Sequence, residues 1–267
     1  MMGRYVLYKR AWVYNGEPHT EKRLTRQQMR ALLAQGGLFV RNSYDFDAVG
    51  PTGFWYVIKD QFGGMAELSS RVRNKIRKSQ KCFDIRKIDK EAMLQHAYVV
   101  HARACRHYKV KAHVVSEDDF RKRILSNGSN YEYFGAFDKS TGQMAAFSIN
   151  ACGSESVDYE TFKADPGYLT GGYYPFYGLL YEMNRYYLEE KRVKYVNDGA
   201  RSITEHSNVQ PFLIEQFKFR KAYCQMQLAY VGWLRIMVFL LYPFRSLIPS
   251  RAVQAILNQE AMRRGDM

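Results

Sequence analysis

The feature that most constrains the fold is a run of three segments in the middle of the chain in which apolar and polar residues alternate. The segments cover 131–138, 143–152 and 156–163, and the turn at 139–142 joins the first two. Alternation with a period of two, broken by short polar connections, predicts three antiparallel strands. A loop that contains the turn-forming dipeptides Pro166-Gly167 and Gly171-Gly172 follows the third strand.

Helix and strand patterns alternate after this loop. The patterns predict a helix over 177–191, a strand over 194–197, a helix over 209–216 and a long strand or strand pair over 219–231. This order fits neither an all-β barrel nor a doubly wound sheet. We therefore predict an α/β protein of the α+β type, in which helices flank a central mixed, mostly antiparallel sheet.

The first part of the chain predicts a strand over 5–14, a helix over 24–35 and two aromatic runs, 38–46 and 54–59, that form a hairpin. One α+β domain with peripheral helices accommodates most of the 267 residues. We predict a single domain over 1–231. Residues 232–267 then form an amphipathic and basic helical tail.

The formal charge of +14 predicts attraction to phosphates, acidic lipid headgroups or nucleic acid. The N-terminus lacks the apolar stretch of a secretory signal, so we expect a cytoplasmic protein. The chain has no zinc-type cysteine spacing, Walker loop, dinucleotide fingerprint or serine elbow. This predicts no metal site and disfavours kinase, dehydrogenase and serine hydrolase functions.

The strongly apolar stretch at 233–249 is interrupted by Arg235, Pro243 and Arg245, so it does not predict a conventional transmembrane helix. Its mixture of aromatic, aliphatic and basic residues is typical of a helix that lies in a membrane interface. A helix packed on the protein's own core has the same pattern. The first alternative predicts peripheral contact with the inner leaflet through 233–249.

Three stretches resemble those of a known family. Residues 168–202 combine a small-residue and aromatic turn, a helix and a strand that carries Asp198-Gly199. Residues 208–219 combine an Asn-led helix with an aromatic strand, and residues 69–79 resemble an Arg-Asn-Ile-Arg-Lys-Ala signature with Lys75 inserted. Together they resemble the FemAB-like group of the GNAT acyltransferase superfamily. The resemblance implies a GNAT-like fold and a transferase.

The resemblance implies an acyl-CoA donor, with acetyl-CoA preferred. Its pyrophosphate requires backbone N–H groups at a helix N-terminus, and the loop before the predicted helix at 177 supplies them. The predicted donor-binding residues are Leu169, Thr170, Gly171, Gly172, Tyr173, Tyr174 and Asn208. An ordinary loop with exposed aromatic residues is the alternative. Residues 67–80 predict a helix that is rich in Lys and Arg. This basic helix predicts contacts with a phosphate-bearing substrate through Arg73, Arg77 and Lys78, and a solvated face is the alternative.

Acyl transfer to an amine requires a proton acceptor and an acid for the leaving group. Alternation on the third strand places Asp158 and Glu160 on one face, opposite Tyr159. Glu160 is the first candidate base and Asp158 the second, against a solvated strand face as the alternative. Asp198 is a further candidate, although an Asp-Gly turn also explains it. Tyr181 is a candidate acid, not distinguishable from other tyrosines.

The predicted function is N-acyl transfer from acyl-CoA to a primary amine, on a small molecule such as an amino sugar or on a lipid-linked cell-envelope precursor. An aminoacyl-tRNA-dependent transferase of the FemAB type is one alternative, with tRNA as partner. A non-catalytic basic module that binds nucleic acid or membranes is another.

Overall fold

The structure, a computed structural model, describes residues 4–107, 114–203 and 209–266. The strands found in these residues are β1 Tyr5–Tyr8, β2 Ala11–Tyr14, β3 Phe39–Tyr44, β4 Phe54–Lys59, β5 Phe83–Ile88, β6 Tyr131–Asp138, β7 Met144–Cys152, β8 Ser156–Ala164, β9 Tyr195–Ala200 and β10 Arg220–Tyr230. The α-helices are α1 Arg26–Ala34, α2 Ser70–Cys82, α3 Lys90–His107, α4 Glu117–Ser126, α5 Pro166–Thr170, α6 Pro175–Asn184, α7 Val209–Phe217, α8 Gly232–Leu241 and α9 Arg251–Arg264.

These elements divide into two units. The terminal unit contains the described residues within 1–57, 200–207 and 221–267, and the central unit contains those within 58–199 and 208–220. Among the strand pairs with a defined register, five are antiparallel and two are parallel. The predicted α+β class, with a mixed and mostly antiparallel sheet flanked by helices, is confirmed.

In the central unit, β5, β6, β7 and β8 form an antiparallel series, and β9 pairs with β8 in parallel. The three predicted strands of the alternating run therefore form. Helices cover both faces of this sheet, because adjacent residues of a strand point to opposite sides. Tyr133 packs in the cluster that contains Met93 of α3 and Ile124 of α4, whereas Phe134 contacts Tyr187 in the π-helical turn that extends α6.

In the terminal unit, the strand order is β1-β2-β3-β10-β4. The predicted single strand over 5–14 is wrong, since Lys9 and Arg10 adopt positive φ angles of 48° and 67° and reverse the chain between β1 and β2. The predicted hairpin of 38–46 with 54–59 is also wrong. β10 lies between β3 and β4 and pairs antiparallel with β3.

The C-terminal helical tail is present, and it packs within the terminal unit. Leu234 and Val238 of α8 and Leu257 and Ala261 of α9 lie in one buried cluster with Phe39 of β3. No single helix of the described residues is both long and apolar enough to cross a bilayer. Gly232–Leu247 and Arg251–Arg264 meet that requirement only as a pair, bent by 103°. The domain boundary at residue 231 remains a prediction.

Candidate active site

A β-bulge in β8 shapes the predicted catalytic strand. Ile149 of β7 pairs with Thr161 and Ala151 pairs with Asp158, so β8 has one extra residue between these pairs. A bulge bends the strand and changes the direction of nearby side chains. Glu160 still points towards α4, because it accepts a hydrogen bond from the Tyr131 hydroxyl at 2.9 Å and lies 3.9 Å from the Arg123 guanidinium.

Tyr159 points to the opposite face. Its ring is buried, and its hydroxyl donates to the Asn184 side chain of α6 at 3.0 Å. The predicted separation of Tyr159 from its two acidic neighbours is therefore present. The side that Asp158 and Glu160 share is the side of α4 and Tyr131.

The parallel pairing of β8 and β9 brings Asp158 and Asp198 together. The register runs over three residues and ends where Asp158 pairs with Asn197. Asp198 is the next residue of β9, and the following Gly199 has a φ of +83° and donates its N–H to the Asn197 side chain at 2.9 Å. Asp158 is the last residue of β8 with a partner in β9, and Asp198 is one residue beyond that pair, so both lie where the paired segment stops.

Burial and mutual repulsion shift the titration of both groups. Burial first, and then the Glu160 carboxylate, raise the pKa of Asp158 to about 7. Burial first, and then Asp158, raise the pKa of Asp198 to about 7, against a hydrogen bond with Gln210 of α7 that lowers it. Burial, followed by Glu160, raises the pKa of Tyr131 to about 12. We call Asp158 and Asp198 the aspartate pair.

Two carboxyl groups that interact and titrate near neutrality can hold one proton between them. Such a pair can accept a proton from an ammonium group at physiological pH, which a carboxyl group with an ordinary pKa does poorly. Among the described residues, no group of three or more His, Cys, Asp or Glu side chains could hold a metal ion. The chemistry that the aspartate pair supports is proton transfer.

The predicted donor-binding loop is partly helical. Leu169 and Thr170 form the end of α5, and the Thr170 hydroxyl donates to the Pro166 carbonyl at 3.1 Å. The N–H groups of Leu169, Gly171 and Tyr173 donate to carbonyls of the same segment. Residues 169–176 therefore do not form the predicted ring of N–H groups around the donor pyrophosphate. The N–H groups of Leu169, Gly171 and Tyr173 already have acceptors, and Pro175 has no N–H.

The turn that remains, residues 171–174, leads directly into α6. Gly172 has a φ of +68° and Tyr174 a φ of +58°, and these two left-handed residues turn the chain into the helix at Pro175. The N–H groups that this turn can direct at an anion are those of Gly172, Tyr174 and Phe176. The first turn of α6 contributes a partial positive charge to the same place.

Two lysines of α2 lie beside this turn. The Lys75 ammonium donates to the Tyr177 hydroxyl at 2.8 Å and lies 5.2 Å from the Tyr174 ring centre. The Lys78 ammonium lies 5.7 Å from the same ring and 3.9 Å from the place where a Cβ on Gly172 would be. We call Lys75, Lys78, Gly172 and Tyr174 the cationic turn.

The other predicted basic residues of α2 are elsewhere. Arg73 donates to the Leu68 carbonyl at 2.6 Å, at the start of its own helix. Arg77 is exposed and contacts the side chain of Asn74 at 3.3 Å. The structure thus places Lys78 near the donor turn and adds Lys75, which the predicted set omitted. Their spacing of three residues, which puts both on one flank of a helix, was the available signal.

Helix α7 contacts the aspartate pair and also Tyr177, whose hydroxyl accepts the hydrogen bond from Lys75. Gln210 forms the hydrogen bond to Asp198, and the Phe212 ring packs edge-on against Tyr177 with 5.3 Å between ring centres. Tyr181, the predicted acid, is in a different place. It packs 5.5 Å from the Phe62 ring, and after burial the groups that most raise its pKa are Glu182 and Glu189. Asn208 lies outside the described residues.

No protein-family model and no curated protein matches the chain. Solved structures do match. FemX aligns with a TM-score of 0.54 and 11% identity, over 79% of this chain and 69% of FemX. The C-terminal domain of a putative lysylphosphatidylglycerol synthetase from Agrobacterium fabrum aligns with a TM-score of 0.51 and 10% identity, over 88% of this chain and 82% of that domain.

L-PGS from Bacillus licheniformis aligns with a TM-score of 0.51 and 9% identity, over 89% of this chain and 83% of that protein. At these identities the likeness concerns the fold. The chain therefore shares the fold of FemX and of the lysylphosphatidylglycerol synthetase domain, and the predicted FemAB-like GNAT fold is confirmed.

Proposed function

We propose that this protein is an N-acyltransferase that moves an acyl group from acyl-CoA to a primary amine. The observation that carries the proposal is the aspartate pair, two interacting carboxyl groups with pKa values near 7 at the end of the paired part of β8 and β9. The FemAB-like fold supports acyl transfer by analogy. The cationic turn supports a donor that carries phosphate groups.

The aspartate pair takes one proton from the ammonium form of the acceptor. The freed nitrogen attacks the thioester carbonyl, so that a C–N bond forms and the C–S bond breaks. The second proton lost from the nitrogen accounts for the thiol that leaves as CoA. Asp158 takes the role of proton acceptor that the sequence assigned first to Glu160, because the Glu160 carboxylate is exposed and holds the Tyr131 hydroxyl.

The donor pyrophosphate would lie against the cationic turn. The Lys75 and Lys78 ammonium groups and the N–H groups of Gly172 and Phe176 supply charge and hydrogen bonds for it. Tyr173, whose side chain is 42% exposed, can cover the donor's pantetheine arm or adenine.

Thermal shift with CoA, acetyl-CoA and longer acyl-CoAs tests donor binding. We expect stabilisation of the wild type by at least one of these ligands, and its loss in Gly172→Asp and in the double variant Lys75→Ala, Lys78→Ala. Lys122→Ala, an exposed lysine of α4, is the control for lost positive charge. No stabilisation of the folded wild type by any CoA species would refute the CoA donor.

Release of free thiol from acetyl-CoA, with a panel of amino sugars and amino acids as acceptors, tests the chemistry. General acid–base groups contribute about 10²–10⁴-fold to rate. We therefore expect Asp158→Asn and Asp198→Asn each to lower kcat/KM by at least about 100-fold, with a smaller loss in Glu160→Gln.

An aminoacyl donor is the second candidate, favoured by the likeness to lysylphosphatidylglycerol synthetase domains with TM-scores above 0.5. The aspartate pair could deprotonate an acceptor for an aminoacyl ester equally well. Transfer from an aminoacyl-tRNA preparation that disappears after RNase treatment, in a protein that no CoA species stabilises, would favour this candidate.

A further inference from the structure

Helix α8 is apolar on two opposite faces. Leu234 and Val238 are buried at 0% and 3% exposure in the cluster with β3 and α9. The other face carries large apolar side chains spaced three or four residues apart, and the spacing continues into the 3-10 turn after the helix. We call this set the apolar stripe: Trp233, Ile236, Leu240, Phe244 and Leu247, which are 58–77% exposed.

A stripe of this kind needs an explanation, because exposed apolar side chains normally occur singly. Phe239, next to the stripe, is 73% exposed and enlarges it. The described part of the terminal unit buries one face of α8 and leaves the other facing outward. A partner outside the fold is therefore expected to cover the stripe.

The tip of the β1–β2 hairpin lies next to the start of α8. The Leu38 N–H donates to the Arg10 carbonyl at 2.7 Å, and the Val231 N–H donates to the Leu38 carbonyl at 3.0 Å. Lys9 and Arg10 are exposed at this tip, and the preceding Tyr8 is 57% exposed. Two cations and an aromatic side chain from a second element thus lie near the start of α8, where the stripe begins.

The surrounding chain is basic. Residues 221–259 contain four Lys or Arg and no Asp or Glu. Arg235 and Arg251 are exposed on α8 and α9. A partner that covers the stripe must therefore tolerate or neutralise positive charge.

We propose that the apolar stripe and its bordering cations dock the terminal unit onto the surface of a bilayer that contains acidic phospholipids. Aromatic and aliphatic side chains enter the boundary between headgroups and acyl chains, and guanidinium and ammonium groups contact lipid phosphates. At about 1.5 Å per residue, the ten residues of α8 span about 15 Å, half of the hydrocarbon thickness, so the helix lies in the plane of the membrane.

A second copy of this chain is a poorer occupant. A two-fold interface brings the same positively charged patch of both copies together, so like charges would repel one another across it. Residues 221–259 supply no carboxylate to pair with them. An anionic lipid surface supplies the missing negative charge.

Vesicle flotation tests the proposal with the full chain. The probes are phosphatidylcholine vesicles with and without phosphatidylglycerol at about one third of the lipid. We expect the wild type to float with the anionic vesicles and more weakly with the neutral ones, with binding that falls as salt rises. The double variant Ile236→Glu, Leu240→Glu should bind at least about tenfold more weakly.

The matched control is Val99→Glu, Leu125→Glu, which places the same charges at two apolar positions of α3 and α4 that are 52% and 58% exposed. It should float like the wild type. The fluorescence of Trp233, a residue of the stripe, gives a second readout in the wild type. This fluorescence should shift to the blue with anionic vesicles, and Trp233→Phe should float normally without the shift.

Absence of flotation with anionic vesicles would overturn the proposal, as would equal losses in the stripe variant and its control. A wild-type dimer that the stripe variant converts to a monomer, without any lipid binding, would identify a second copy as the occupant instead. Membrane binding and acyl transfer are separate, so failure of this test leaves the proposed enzyme function in place.

Discussion

Replacement of Asp158 by asparagine should increase the stability of the protein relative to the wild type as the pH rises, and it should remove activity. In the folded protein the pKa of Asp158 is raised from the ordinary 3.8 to about 7. The folded state therefore holds a proton that the unfolded chain releases above pH 3.8. The free energy of unfolding falls as pH rises through this interval, and the whole contribution is lost once the pH exceeds about 7.

The size of the effect follows from the two pKa values. At about 1.4 kcal/mol for each pKa unit, a rise from 3.8 to about 7 corresponds to about 4 kcal/mol. This is an upper limit, because Asp158 is only partly buried and interacts with Asp198. Asparagine does not titrate, so the stability of Asp158→Asn relative to the wild type should increase by about 2–4 kcal/mol between pH 4.5 and 8.5.

Urea unfolding followed by circular dichroism at several pH values measures this difference. Only the change of this difference with pH is interpreted. Any effect of the asparagine amide on stability that is the same at every pH therefore cancels. Glu117→Gln, at an exposed position of α4, controls for the altered net charge. If the difference between Asp158→Asn and wild type stays constant within about 0.5 kcal/mol, Asp158 has no raised pKa and the proposed proton acceptor is refuted.

Three further changes test local packing and backbone geometry, each measured by urea unfolding. Lys218 follows α7 with a φ of +60°, so Lys218→Gly should stabilise the protein by about 1 kcal/mol, and a loss would contradict the left-handed assignment. A Cβ on Gly53 would lie 1.9 Å from the Met262 carbonyl oxygen of α9, so Gly53→Ala should cost about 1–3 kcal/mol. A Cβ on Gly178 would lie 2.4 Å from the Ser79 hydroxyl of α2, so Gly178→Ala should cost about 1–3 kcal/mol and weaken CoA binding by separating α2 from α6. Gly232→Ala, which meets no atom within 4 Å, is the shared control and should be near neutral.

The sequence predicts best where the local pattern itself selects the structure. The alternation in 131–163 locates β6, β7 and β8 because each residue's side is set by its immediate neighbours. Prediction from the local pattern fails at the β1–β2 turn, where Lys9 and Arg10 adopt a conformation usually taken by Gly or Asn. The residues themselves carry no sign of that turn.

Contacts between distant segments are the part that the sequence does not determine. Nothing local in β3 or β4 indicates that β10 lies between them. The residues of the aspartate pair were separate candidates, 40 positions apart, and only the register of β8 with β9 shows that they interact. That interaction, together with the exposure of Glu160 and its hydrogen bond with Tyr131, supports Asp158 over Glu160.

The division of the terminal unit among separate stretches of chain has a consequence for biosynthesis. Tyr44 of β3 pairs with Gln225 of β10, 181 positions later, so a ribosome must make most of the protein before β3 gains this neighbour. The central unit is nearly continuous and can fold earlier. Until β10 is made, the edge of β3 that pairs with it stays unpaired, and unpaired strand edges are prone to aggregation. A circular permutant that begins at residue 221 and links residue 267 to residue 1 would shorten the time for which this edge of β3 is unpaired.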